Sequence, residues 1–168
     1  ANGKVRARRH TAHQHGTAFV FRHDGRGALL LTNEHVTGWP FVTGPGHEVD
    51  DVPAGCKRIR TTLKVVDNEE DTFAKDDVEL TVVATDPSLD AAIVRGRIAT
   101  GRLPFTIGDS AALKTGDVVQ VRGFPLGAFQ ALTAGKVINP AHHDAEEGWD
   151  HTDFVIDAPL SSGSSGSP

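Results

Sequence analysis

Three short segments carry residue types that could perform nucleophilic chemistry. Near the end of the chain, Gly163-Ser164-Ser165-Gly166 places a serine between glycines. Glycine admits backbone conformations closed to other residues. A turn of this kind can therefore present a hydroxyl to a cleft and converge N–H groups on a developing oxyanion. A serine hydroxyl is a weak nucleophile without a base. Leu30-Leu31-Thr32-Asn33-Glu34-His35-Val36 offers one, a histidine directly after an apolar run. Thr85-Asp86-Pro87-Ser88-Leu89-Asp90-Ala91-Ala92 offers an aspartate ahead of a second apolar run, where a carboxylate could orient and support an imidazole. Taken singly, these are ordinary structural residues: a turn serine, a histidine at a strand end, a strand-start aspartate. Their order gives them joint meaning.

The remainder of the chain is patterned to hold such residues on strands. Short β-branched or apolar runs occur at 17–22, 28–32, 57–66, 78–85, 91–95, 118–124, 129–138 and 154–158, separated by Gly, Pro, Asp and Asn. Turn signals fall between them at Asp24-Gly25, Asp86-Pro87 and Thr115-Gly116-Asp117. Only 32–37 and 110–113 suit a brief helical turn, and no stretch of about 12 residues keeps a 3.6-residue apolar period. The pattern predicts an all-β protein, barrel-like because closure removes exposed strand edges. A pause at 96–104 predicts a seam between two halves.

Composition narrows the function classes. A chain of 168 residues fits one domain or two closely joined subdomains. A net charge of −5 argues against a dedicated nucleic-acid binder. No apolar run approaches the roughly 18–20 residues of a membrane-spanning helix. Cys56 is the single cysteine, so no internal disulfide is expected and its simplest role is packing. Lys4, Arg6, Arg8 and Arg9 read as a solvated arm. The acidic residues from Asp67 to Glu79 read as a surface loop, without the glycine and final glutamate of a calcium loop. His10, His13, His15, His142 and His143 raise the idea of a histidine-rich metal-binding β protein. No cysteine or carboxylate completes a tetrahedral set beside them, so no metal site is expected. Residues 1–20 carry no apolar signal core.

With these segments in view, the chain resembles the trypsin-like serine proteases, most closely their bacterial HtrA/Deg branch. The resemblance runs from Gly16 to Pro168. Gly16-Thr17-Ala18-Phe19 is similar to that branch's opening Gly-Ser-Gly-Phe strand, and Leu31-Thr32-Asn33-Glu34-His35-Val36 to its Leu-Thr-Asn-x-His-Val motif. Asp86-Pro87 followed by Asp90-Ala91-Ala92 matches its aspartate motif. Ile107-Gly108-Asp109-Ser110 and Gly123-Phe124-Pro125-Leu126-Gly127 match the connection into the second half. Asp157-Ala158 with Gly163-Ser164-Ser165-Gly166-Ser167-Pro168 matches the serine motif. The order His, Asp, Ser is that of the chymotrypsin group.

The resemblance implies an endopeptidase acting on peptides or unfolded proteins, without a cofactor or metal. By it, His35 is general base then acid, Asp90 orients it, and Ser165 is the nucleophile. The N–H groups of Gly163 and Ser165 would form the oxyanion hole. Pro159 and Leu160 would lie at the substrate pocket, where the absence of charge implies cleavage after small or medium apolar residues. It also implies two antiparallel β-barrels: an arm at 1–15, a first barrel at 16–96 and a second at 104–168. The second barrel is expected to be incomplete, since 105–107, 118–124, 129–138 and 154–158 supply fewer strands than closure needs. A completing C-terminal segment or a homo-oligomer is the partner this leaves open, and residues 1–168 alone should cleave poorly. Ser164 stands where digestive relatives carry an aspartate, so control by a zymogen salt bridge is not expected. A secreted or periplasmic setting is favoured. The competing expectation is a catalytically silent binding module or inactive fragment of the same fold.

Overall fold

The computed structural model describes residues 15–38, 62–66, 77–98, 101, 106–127, 129–144 and 151–168. His10, His13, Cys56, the basic arm, most of the acidic stretch, the first part of the expected 57–66 strand and most of the 96–104 seam lie outside the described residues. What is described is mostly β, and every paired strand is antiparallel. Three sheets form among the described residues, and none of them closes on itself.

The first sheet is built on two strands whose burial alternates residue by residue. Strand β1 (Phe19–Asp24) turns at Gly25-Arg26 into β2 (Gly27–Thr32), and β2 pairs with β6 (Ala91–Gly96). On β2, Ala28, Leu30 and Thr32 are buried; on β6, Ala92, Val94 and Gly96 are buried. These positions face each other in register, Leu30 opposite Val94 and Ala28 opposite Gly96. Side chains alternate between faces with a period of two, so one face of both central strands enters the core. Val20, Ala28, Leu30 and Val94 form that core, with Ala18, Leu63, Val65, Leu80 and Ile98 packed against it. Strand β5 (Thr81–Asp86) closes the sheet in the order β1-β2-β6-β5.

The expected 78–85 strand divides in two. Strand β4 (Asp77–Glu79) pairs with β3 (Lys64–Val66), then Leu80 packs on the core while its N–H donates to Leu63 O at 2.9 Å. One apolar run thus serves two sheets, with Leu80 as the corner between them.

The second half contributes β7 (Val118–Gly123), β8 (Ala131–Asp144) and β9 (His151–Ile156) in that sheet order. Strand β8 runs well past the expected end at 138, and β9 begins before 154. Asn139-Pro140-Ala141 reads as a stop because proline breaks ladder hydrogen bonds. The register instead shifts between Val137 and Asn139 and again between Asn139 and His142, absorbing Pro140 in irregular pairing. Asn139 Oδ1 accepts from Ala141 N–H at 3.1 Å within that stretch. Of the expected strand at 105–107, residues 106 and 107 are described and belong to no strand, with Ile107 88% exposed; residue 105 lies outside the described residues. Brief helical turns form at Glu34–Gly38 (α1) and Ser110–Ala112, and a further one, not anticipated, at Pro125–Gly127.

Candidate active site

The aspartate motif folds itself. Asp86 Oδ1 accepts from Ser88 Oγ at 2.6 Å, Ser88 N–H at 3.0 Å and Leu89 N–H at 3.3 Å, turning the chain after β5. Those bonds, led by the Ser88 hydroxyl, hold the Asp86 carboxyl below its usual range. The turn delivers Asp90 to the start of β6 with φ 46, a left-handed conformation uncommon outside glycine. Such a residue persists only where its surroundings over-determine it. Here they do. Asp90 O accepts from Glu34 N–H at 3.0 Å and from Asn33 Nδ2 at 2.8 Å. Asp90 Oδ1 accepts from His35 N–H at 2.8 Å, and Oδ2 lies 2.6 Å from His35 Nδ1. Asp90 is 8% exposed.

His35 lies in the first turn of α1, directly after β2. The N–H groups of Glu34 and His35, which have no partner within so short a helix, are satisfied by Asp90. Gly16 makes room beside this turn: a Cβ there would stand 2.6 Å from Val36 Cγ1. The strand, the cap and the neighbouring glycine together fix the ring's position. His15 lies at the start of the described chain, while His142 and His143 lie on β8, on separate elements; among the described residues no group of three candidate ligands gathers.

Ser165 occupies a turn made by two left-handed glycines, Gly163 at φ 89 and Gly166 at φ 86. Ser164 N–H donates to Ser161 O at 3.0 Å and Ser167 N–H to Ser164 O at 2.9 Å. Leu126 N–H, from the Pro125–Gly127 turn, donates to Ser162 O at 2.7 Å. Upstream, Asp157 Oδ1 accepts from Lys136 N–H at 2.6 Å, fastening the approach to β8.

The structure joins His35 to Asp90 by direct contact. No hydrogen bond joins His35 to Ser165 among the described residues. Ser165 instead faces a cleft of about 510 Å³ that Asn33 also lines, together with Val119, Val121, Phe154, Ile156 and Leu160. Among the described residues that line it, none carries a charged side chain. Pro159 and Leu160 are exposed, and with Ser161 and Ser164 they border a smaller cavity of about 60 Å³.

A trypsin-like peptidase domain family matches residues 16–168. The chain belongs to that family. This trypsin-like peptidase domain is similar to serine protease PepD of Mycobacterium tuberculosis, with 30% identity over 148 residues. The match covers 86% of this chain and 27% of PepD. Among solved structures it is similar to the HtrA-type protease AlgW with a decapeptide, at 25% identity and TM-score 0.60. That match covers 90% of this chain and 38% of AlgW's. Deg5, at 24% identity and TM-score 0.59, covers 91% of this chain and 66% of its own, and speaks to the fold alone. The domain therefore has a trypsin-like fold and is of HtrA type.

Some connections of the site were not visible in the sequence of this trypsin-like domain. Thr17 and Thr32 sit inside quoted motifs, yet their hydroxyls bridge segments far apart in the chain: Thr17 Oγ1 donates to Gly163 O at 2.9 Å, and Thr32 Oγ1 donates to Thr17 O at 2.7 Å. The one available signal was a buried-type hydroxyl among small and apolar neighbours.

Proposed function

We propose that this domain hydrolyses peptide bonds through a serine acyl-enzyme, cleaving peptides or unfolded proteins after small or medium apolar residues. The double contact of Asp90 with His35 supports the reading best. A carboxylate that holds both the ring Nδ1 and the backbone N–H of the same histidine fixes its tautomer and its direction. In this reading neutral His35 takes the Ser165 Oγ proton through Nε2 as Oγ bonds to the substrate carbonyl carbon. The imidazolium then gives that proton to the leaving amine. A water, deprotonated by His35, releases the acid and restores Ser165 Oγ–H. By the family resemblance, the N–H groups of Gly163 and Ser165 would be those offered to the oxyanion. Residues 16–96 and 104–168 would form the two antiparallel barrels, with the site between them.

Specificity rests on Pro159 and Leu160, the positions at the pocket, and on a neighbouring cleft whose described lining residues carry no charged side chain. A Lys or Arg side chain there would be desolvated without a counter-ion. A peptide-library profile should favour Val, Ala or Leu at the cleaved position; dominance by Arg or Lys would refute this.

The alternative is a catalytically silent binding or interaction module of the same fold, since fold alone does not set activity. A fluorophosphonate and mass mapping, applied to the whole protein, separate the two. Labelling at Ser165, with turnover falling about 10⁴–10⁶-fold in Ser165→Ala, supports the protease. Peptide binding with neither labelling nor turnover selects the silent module.

A further inference from the structure

We propose that Thr17 is a positioning residue for the serine turn, acting through its hydroxyl; the catalytic part of this inference rests on the proteolytic reading above. Thr17 is 3% exposed and every hydrogen-bonding group it owns is engaged. Its N–H donates to Ser165 O at 2.6 Å. Its hydroxyl donates to Gly163 O at 2.9 Å and accepts from Phe124 N–H at 2.9 Å. Its own carbonyl accepts from Thr32 Oγ1, at the end of the strand that leads to His35.

The two carbonyls that Thr17 holds flank the reactive residue. Peptide units are planar, so fixing a C=O fixes the whole plane. Holding Gly163 O sets the plane before Ser164, and holding Ser165 O sets the plane after Ser165. Only the peptide carrying the Ser165 N–H lies between them, and the direction of the Ser165 side chain follows from the planes on either side of it. Gly166 shows how closely Thr17 is seated, since a Cβ there would run into Thr17 O and stand 2.5 Å from Thr32 Oγ1. The same hydroxyl also reaches Phe124, beside the Pro125–Gly127 turn that holds Ser162 O. The Thr17 hydroxyl thus ties the turn to the Phe124 corner, while the backbone of the same residue ties it to Ser165 O and to the strand before His35.

A purely structural threonine would affect melting and leave turnover by the folded protein alone. A positioning threonine would change kcat. The test uses the whole protein with Thr17→Val, which keeps shape but removes donor and acceptor, and Thr17→Ser, which keeps the hydroxyl. In Thr17→Val, kcat should fall about 100-fold, the usual cost of misplacing a reacting group by an ångström, with KM nearly unchanged. Deuterium uptake should rise in a peptide covering 161–168, with β2 and β6 unaffected. Thr17→Ser should restore both readouts. If Thr17→Val does not fold, Thr17→Cys replaces it, similar in size with only a weak S–H donor, and should show the same changes in smaller measure. A folded variant lacking the hydroxyl but retaining wild-type kcat and uptake would overturn the proposal, as would a Thr17→Ser as impaired as Thr17→Val. A wild-type protein that neither cleaves nor takes the phosphonate overturns the proteolytic reading and, with it, the catalytic role of Thr17. The uptake comparison is independent of activity and still decides whether the hydroxyl holds the turn.

Discussion

Asp90 grips His35 at two points, one carboxylate oxygen on the backbone N–H at 2.8 Å and the other 2.6 Å from ring Nδ1. Replacing Asp90 by Asn keeps an oxygen for the backbone N–H but presents an N–H to Nδ1. The ring is then driven to the tautomer with its proton on Nε2, which cannot accept from serine. In Asp90→Asn, kcat should fall about 10³–10⁴-fold while the melting temperature stays near wild type. An Asp90→Asn variant with more than a tenth of wild-type kcat would count against the assignment.

Gly166 is the position where a single methyl should do most harm to the turn. Its φ is 86, and an added Cβ meets the Thr17 carbonyl. The left-handed conformation and the overlap together should cost about 2–4 kcal/mol in Gly166→Ala. Urea unfolding should show a lower midpoint with an unchanged m-value. A variant as stable as wild type would mean that the turn can move away from Thr17.

Asp86 should make stability depend on acid pH. Its carboxyl is lowered chiefly by the Ser88 hydroxyl, so the unfolded chain binds the proton more readily than the folded one. The stabilisation is fully present above the unfolded value of about 3.9 and is lost as pH falls from there through the lower folded value. Melting scans across that range should show a smaller acid loss in Ser88→Ala than in wild type. Identical slopes would exclude the turn as a source.

The first sheet depends on Leu30, 2% exposed at the centre of β2 and opposite Val94. Leu30→Ala should cost about 2–5 kcal/mol through lost burial and a cavity. Chemical denaturation measures it directly. Because β2 leads straight into α1, a partly folded Leu30→Ala protein should also lose activity in proportion to its unfolded fraction.

Much of the site was legible because its chemistry is written in local signals. The apolar runs at 28–32 and 91–95, bounded by turn residues, read as strands, and β2 and β6 realise them. Asp86-Pro87-Ser88 encodes its own turn, since an aspartate can hydrogen-bond the next few N–H groups wherever the chain lies. Glycines at 163 and 166 mark a backbone that few other residues tolerate, so the serine turn declares itself. Tertiary structure decided the rest. The apolar run ends at 138, but pairing with β9 carried β8 through Pro140 to Asp144. The 78–85 run divided at Leu80 because its two ends found different partner strands. Thr17 and Gly163 stand 146 positions apart, and no periodicity relates them. Local propensity sets how each segment bends; which hydroxyl meets which carbonyl is settled only when the segments pack, because a hydrogen bond depends on distance in space and is blind to distance along the chain.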